Sequence, residues 1–213
     1  MQLCNFRARK SKRKGPVSVR RFKMDMYSST AFAPKMKPLT LFFATTSLAV
    51  LSACNPTLNW RDVRLENTRL SLLMPCRPDT AQKTVPWAGQ PVNLTLIGCN
   101  ADNATFAVSV ADVKDASKVA ATLAQWQTAT LGNMRALPAG TDAPQVSLLK
   151  LVGADPVPPA VLVKALGRRA DGKPVSGQSA YFAQGSQVFQ AMLYADRISP
   201  EMSEGFFSSL KFE

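Results

Sequence analysis

Histidine is missing from all 213 residues. Its absence removes Ser-His-Asp and Cys-His nucleophile systems, HExxH zinc sites and the commonest general base. Cysteine is scarce. After Cys54 only Cys76 and Cys99 remain, and two thiols without a histidine make a poor zinc site, so no metal or cofactor is expected. Long apolar runs are also scarce: only Leu39–Ala53 qualifies. Internal repeats and low-complexity segments are lacking from the part that follows.

Charge is lopsided in a way that matters for partners. The chain holds 26 Lys+Arg against 14 Asp+Glu, a net +12. Residues 1–53 account for 11 of the basic residues and one acid, Asp25, leaving 15 against 13 and a net +2 from residue 54 onward. A nucleic-acid footprint needs basic residues clustered on the folded domain, so no nucleic-acid partner is expected for residues 54–213. A basic N-terminus retained in a cytosolic protein would be the contrary reading.

The run Leu39–Ala53 carries no charge over 15 residues. A membrane-spanning helix needs about 20 apolar residues, whereas this length suits the apolar part of a signal peptide. Lys35 and Lys37 stand just before it. Met36-Lys37-Pro38 opens a complete short signal peptide, so translation starting at Met36 competes with an over-long basic leader. The end, Leu51-Ser52-Ala53-Cys54, resembles the lipobox of bacterial lipoproteins. That resemblance implies cleavage after Ala53, a diacylglyceryl group on the Cys54 thiol, acylation such as palmitate, and membrane attachment through lipid. Localisation would be the bacterial cell envelope, with the domain facing the periplasm. Asn55 stands where an Asp retains many lipoproteins at the inner membrane, which leans towards the outer one.

The chain thus divides into a leader, 1–53, a lipid-attached tether, 54–68, and a single domain, 69–213. The 160 residues from Cys54 onward are enough for one sound core without metal. In an exported chain, Cys76 and Cys99 favour one disulfide. They flank a hairpin reading, residues 81–99, centred on Trp87-Ala88-Gly89, which leaves the two cysteines nearly in register.

Periodicity gives the elements. Residues 69–75 and 81–99 read as three strands, and 103–113 alternates with Phe106, Val108 and Val110 on one face. Residues 115–140 read as one long helix, capped by Asp115 or Ser117 and closed by Pro138 and Gly140. Its apolar stripe is Val119, Leu123, Trp126 and Met134. Residues 145–152, 160–169, 173–183 and 187–195 read as four more strands. Ser199-Pro200 opens a short helix that buries Met202, Phe206, Phe207 and Leu210. The expected fold is α+β, a mainly antiparallel sheet covered by one long and one short helix.

Two segments carry a family resemblance. "RLSLLMPCRPDTAQKTV" is similar to the opening strand and turn of PsbP-like and Mog-type domains, and "SAYFAQGSQVFQAMLYADRISPEMSEGFFSSLKF" looks like their closing hairpin and helix. The resemblance covers residues 65–213 and implies an α/β/α sandwich. It further implies a binding or assembly module rather than an enzyme, with an envelope protein as partner.

Three patterns could suggest other chemistry. Gly167–Pro174 fits the phosphate-binding G-x-x-x-x-G-K as far as Lys173, but Pro174 replaces the required Ser or Thr and strand-like sequence follows. S-x-x-K occurs at Ser147–Lys150 and Ser208–Lys211, the basis of an alternative reading as a small envelope hydrolase with a Ser-Lys or carboxylate site. Arg168, Arg169 and Lys173 form a basic corner that could contact an anion, although three cations fall short of the 4–8 typical of lipid recognition.

Overall fold

The computed structural model describes residues 57–87, 90–136, 140 and 142–213. Among the described residues ten strands form: β1 Arg61–Arg64, β2 Leu70–Met74, β3 Asp79–Trp87, β4 Gln90–Ala101, β5 Ala104–Asp112, β6 Gln145–Leu148, β7 Val161–Arg168, β8 Pro174–Gln184, β9 Gln187–Ala195 and β10 Lys211–Phe212. Helix α1 is Val119–Asn133, entered through a 3-10 turn, and α2 is Pro200–Phe207.

The strands sort into two sheets. Seven run in the order β3-β4-β5-β9-β8-β7-β6, and three in the order β1-β2-β10. Every named ladder is antiparallel. The fold is therefore α+β with a mainly antiparallel sheet and two helices, as the periodicity predicts. The covering differs in one respect. Helix α1 lies on one face of the large sheet, while α2 shares the other face with the small sheet.

Each face owes its partner to side-chain size. The inner strand β5 sends Phe106, Val108 and Val110 towards the small sheet and α2, and keeps Ala107, Ser109 and Ala111 on the other side. Small residues there leave room for a helix against the strands. The opposite layer is aromatic. Phe106 meets Phe206 of α2 with ring centres 5.4 Å apart, and Phe182, Phe189 and Phe212 form a second group at 5.2–5.9 Å. Each buried Phe contributes roughly 1.5–3 kcal/mol by removal from water, so this layer is a large source of the fold's stability.

Helix α1 buries Val119, Leu123 and Trp126, with Met134 just past its end, the stripe expected from spacing. Asp115 caps the entering 3-10 turn, its Oδ1 accepting from the Ser117 amide at 3.0 Å, whereas α1 itself starts after Lys118 with no side-chain cap, because the turn already carries the chain into the helix. The helix stops at Asn133, well before Pro138 and Gly140. The Arg135 amide donates to Gly132 O and the Ala136 amide to Leu131 O, both at 3.0 Å. These two bonds make a Schellman close, with Arg135 at φ 49° in the left-handed position where glycine is usual. Pro138 lies outside the described residues.

The domain also begins earlier than Arg69. Leu58 is buried, Trp60 sits edge-on to Phe106 with ring centres 6.0 Å apart, and β1 pairs with β2 over Arg61–Arg64. At the short helix, Ser199 caps as expected, accepting from the Met202 amide at 3.2 Å, and Met202, Phe206, Phe207 and Leu210 are buried.

Candidate functional site

Cys76 and Cys99 form a disulfide with their Cα atoms 6.0 Å apart. The ladder explains why. Asp79 pairs with Gly98 and Trp87 with Gln90, so positions 76 and 99 fall two residues off register just below the hairpin. Cys76 follows β2 of the small sheet, and Cys99 lies in β4 of the large one. The bond therefore joins the two sheets at one end of the aromatic layer. At the other end of the hairpin, Trp87 folds over α1. Its Nε1 donates to Gln125 Oε1 at 3.0 Å, and its ring meets Trp126 edge-on at 4.8 Å. Trp126 is thus a packing residue. Ala88 and Gly89 lie outside the described residues, as does the lipobox cysteine, Cys54.

The basic corner is the β7–β8 turn. Arg169 forms an ion pair with Asp196 at 2.8 Å, and Lys173 lies 3.7 Å from Asp171. Arg168 Nη1 donates to Gly172 O at 3.0 Å. Two of the three charges are thereby matched, and the third guanidinium closes its own turn. Gly172, at φ 83°, supplies the turn, so Gly167–Lys173 opens a hairpin strand and not a helix.

Neither Ser-Lys pair forms a nucleophile and base. Ser147 lies on β6, where its hydroxyl donates to Leu162 O at 3.4 Å, and Lys150 lies beyond the strand end. Ser208 turns its hydroxyl back to Glu204 O at the end of α2. Lys211 lies in β10 and pairs with Glu213 at 3.0 Å. Among the described residues, no group of three His, Cys, Asp or Glu side chains could hold a metal ion, and no helix is long and apolar enough to cross a membrane.

Under α1 lies a buried polar cluster that local patterning does not reveal. Gln190 Nε2 donates to Thr130 Oγ1 at 2.8 Å and to Tyr181 OH at 3.0 Å, and the Thr130 hydroxyl donates to Trp126 O at 2.9 Å. Burial pushes the Tyr181 phenol above its ordinary pKa, against the hydrogen bonds from its neighbours. Each member is satisfied within the cluster, which fixes α1 on the sheet. Chemistry on a substrate would need an open approach that these residues do not have.

The remaining feature is the β6 edge. Val146, Leu148, Val152, Val157 and Leu166, the exposed large hydrophobics among the described residues, all fall between positions 146 and 166. Val146 is 56% exposed and Leu148 is 78% exposed. They share the sheet face of Val163 and Val161, to which they are paired. The opposite edge, β3, is guarded by Lys83, Asp79 and Pro86, with Pro91 across from Pro86. Charges and prolines are how sheets ordinarily protect an edge. β6, Gln-Val-Ser-Leu, has neither.

No protein-family model matches the chain, and none of the curated proteins matches it. Among solved structures the chain is similar to PA94 of Pseudomonas aeruginosa, a protein of unknown function, at 18% identity over 67% of this chain and 85% of that one, with a TM-score of 0.27. At that score the two chains share too little geometry for the likeness to inform function.

Proposed function

We propose that this chain is a bacterial envelope lipoprotein, anchored by lipid on Cys54, whose PsbP/Mog-like domain serves binding or assembly and not catalysis. The observation that carries it is the sequence Leu51-Ser52-Ala53-Cys54 closing a 15-residue uncharged run. Two further facts support it. The remaining thiols, Cys76 and Cys99, are paired, which suits an oxidising compartment. Leu58, the first buried side chain among the described residues, follows Cys54 by four residues. Four extended residues reach about 14 Å at most, so the anchor would hold the domain close to the membrane surface.

The non-catalytic reading rests on composition, since the sequence lacks histidine, and on the resemblance to a mainly non-enzymatic family. The test is Cys54→Ser in the full-length gene, followed by membrane fractionation. A lipid anchor holds a protein durably only when two or more chains enter the bilayer. The substitution is expected to move the protein from the membrane pellet to the soluble fraction. Unchanged pelleting of the variant would overturn the anchor.

A further inference from the structure

We propose that the β6 edge takes an extended peptide segment of a partner protein, whose alternating apolar core is flanked by acidic residues, as an added antiparallel strand. The inference deepens the binding role above and rests on it for biological context. Its physical basis is separate, and lies in the backbone.

In an antiparallel ladder, successive residues alternate between bonding to the neighbour and pointing away from it. The Leu149 amide donates to Ala160 O at 2.9 Å, which fixes the phase of the β6–β7 ladder. Gln145 and Ser147 then share the inward phase, with Lys164 and Leu162 across from them. Val146 and Leu148 direct their N–H and C=O groups away from the sheet. β6 is last in the strand order, so among the described residues no strand meets those groups. The two residues that present the open backbone also carry two of the exposed apolar side chains. An extended strand satisfies both at once: its main chain meets the open groups, and alternate side chains cover Val146 and Leu148.

Charge and length narrow the occupant. Lys164 stands beside Gln145 at the start of β6, and Lys150 follows its end by two residues. Both are exposed, and neither has an acidic partner among the described residues. Asp142, three residues before the strand, is the acid closest in sequence. A cation at each end calls for acids at both ends of the incoming strand. Four residues span roughly 14 Å. Pairing two such edges alone would bury much less than the 1,200–2,000 Å² typical of a stable interface. A second copy pairing antiparallel would also set the Lys150 end of one strand beside the Gln145–Lys164 end of the other, like charge against like, so an acid-flanked peptide suits the edge better.

The test uses the full chain, purified in detergent, and a fluorescent peptide of sequence Glu-Val-Thr-Val-Thr-Val-Glu read by anisotropy. Comparison peptides carry N-methyl groups on alternate amides, or Lys in place of both Glu residues. Val146→Pro removes an outward donor without touching the inward ladder. Leu148→Asp keeps the backbone and places a negative charge on an exposed position, so it serves if the proline variant misfolds. Circular dichroism checks both. Binding should be at least ten-fold weaker for the N-methylated peptide and for Val146→Pro. Binding should be several-fold weaker for the Lys-flanked peptide and for Leu148→Asp. No binding of the first peptide, equal binding of the methylated one, or equal binding by both folded variants would overturn the proposal. So would self-association that Val146→Pro abolishes, since a second copy would then be the occupant. The anchor falls separately: peptide binding by a protein that lacks lipid would leave this inference standing.

Discussion

Replacing both Cys76 and Cys99 by alanine should cost about 3 kcal/mol and leave the fold intact. The bond closes a loop of sequence separation 23. The chain-entropy model gives roughly 3 kcal/mol for a loop of this size, before any native strain is subtracted. A domain of 150–250 residues loses about 2–4 °C in Tm per kcal/mol. The expected drop is then roughly 6–12 °C. The fold should survive because the aromatic layer of Phe106, Phe182, Phe189, Phe206 and Phe212 lies between the sheets and does not depend on the bond. The β3–β4 hairpin should feel the loss most. Nearly all of β3 is exposed, and its tip carries Pro86 and Pro91, which donate no ladder hydrogen bonds. Thermal melts followed by far-UV circular dichroism give the magnitude. Thiol counting in denaturant without reductant gives the pairing in the wild type. A Tm unchanged within error, or two reactive thiols in the oxidised protein, would show that the bond does not stabilise the fold in this way.

Three further outcomes follow from local geometry. Gly167→Ala should be strongly destabilising, because a Cβ there would stand 2.3 Å from the Met134 carbonyl oxygen at the end of α1. Overpacking typically costs 1–3 kcal/mol, and a denaturant midpoint equal to wild type would contradict it. Arg135→Gly should raise the unfolding free energy read from denaturant melts by about 0.5–1 kcal/mol, since glycine relieves a left-handed position that arginine occupies at φ 49°. Asp112 is partly desolvated, which raises its pKa. Hydrogen bonds from Lys114 and Ser186, with the Lys114 charge, outweigh this and hold the pKa below its ordinary value. Its stabilising contribution is complete above the unfolded carboxyl pKa, about 3.9, and is lost as pH falls through the lower folded value. Asp112→Asn should therefore lose stability at neutral pH and show a shallower acid limb than wild type in melts across pH 2–6.

Much of this was legible in the sequence because it is local. The α1 stripe, the Ser199-Pro200 cap and the hairpins at Gly172 and Gly185 follow from spacing and turn chemistry within a few residues. The disulfide followed from a hairpin centre that the ladder now places between Trp87 and Gln90. What stayed hidden is set by distant partners. β1 and β10, at four and two residues, are too short to show a period, so the small sheet could not be read. Arg169 looked like part of a cationic corner until Asp196, 27 positions away, proved to neutralise it. Thr130 and Gln190 look like surface residues, and only α1 docking on β8 and β9 buries them together. The α1 terminus falls before the expected Pro138 and Gly140 because a Schellman close with arginine leaves no glycine to read. The β6 edge alternates like any other strand, and its place at the end of the sheet is a matter of topology.

Lipid on Cys54 would be read from the intact mass of the protein extracted from native membranes. The expected species begins at Cys54 and carries a diacylglyceryl group, with or without a further acyl chain on its amine. A membrane-extracted protein that retains residues before Cys54, or one that begins at Cys54 with a bare thiol, would contradict it.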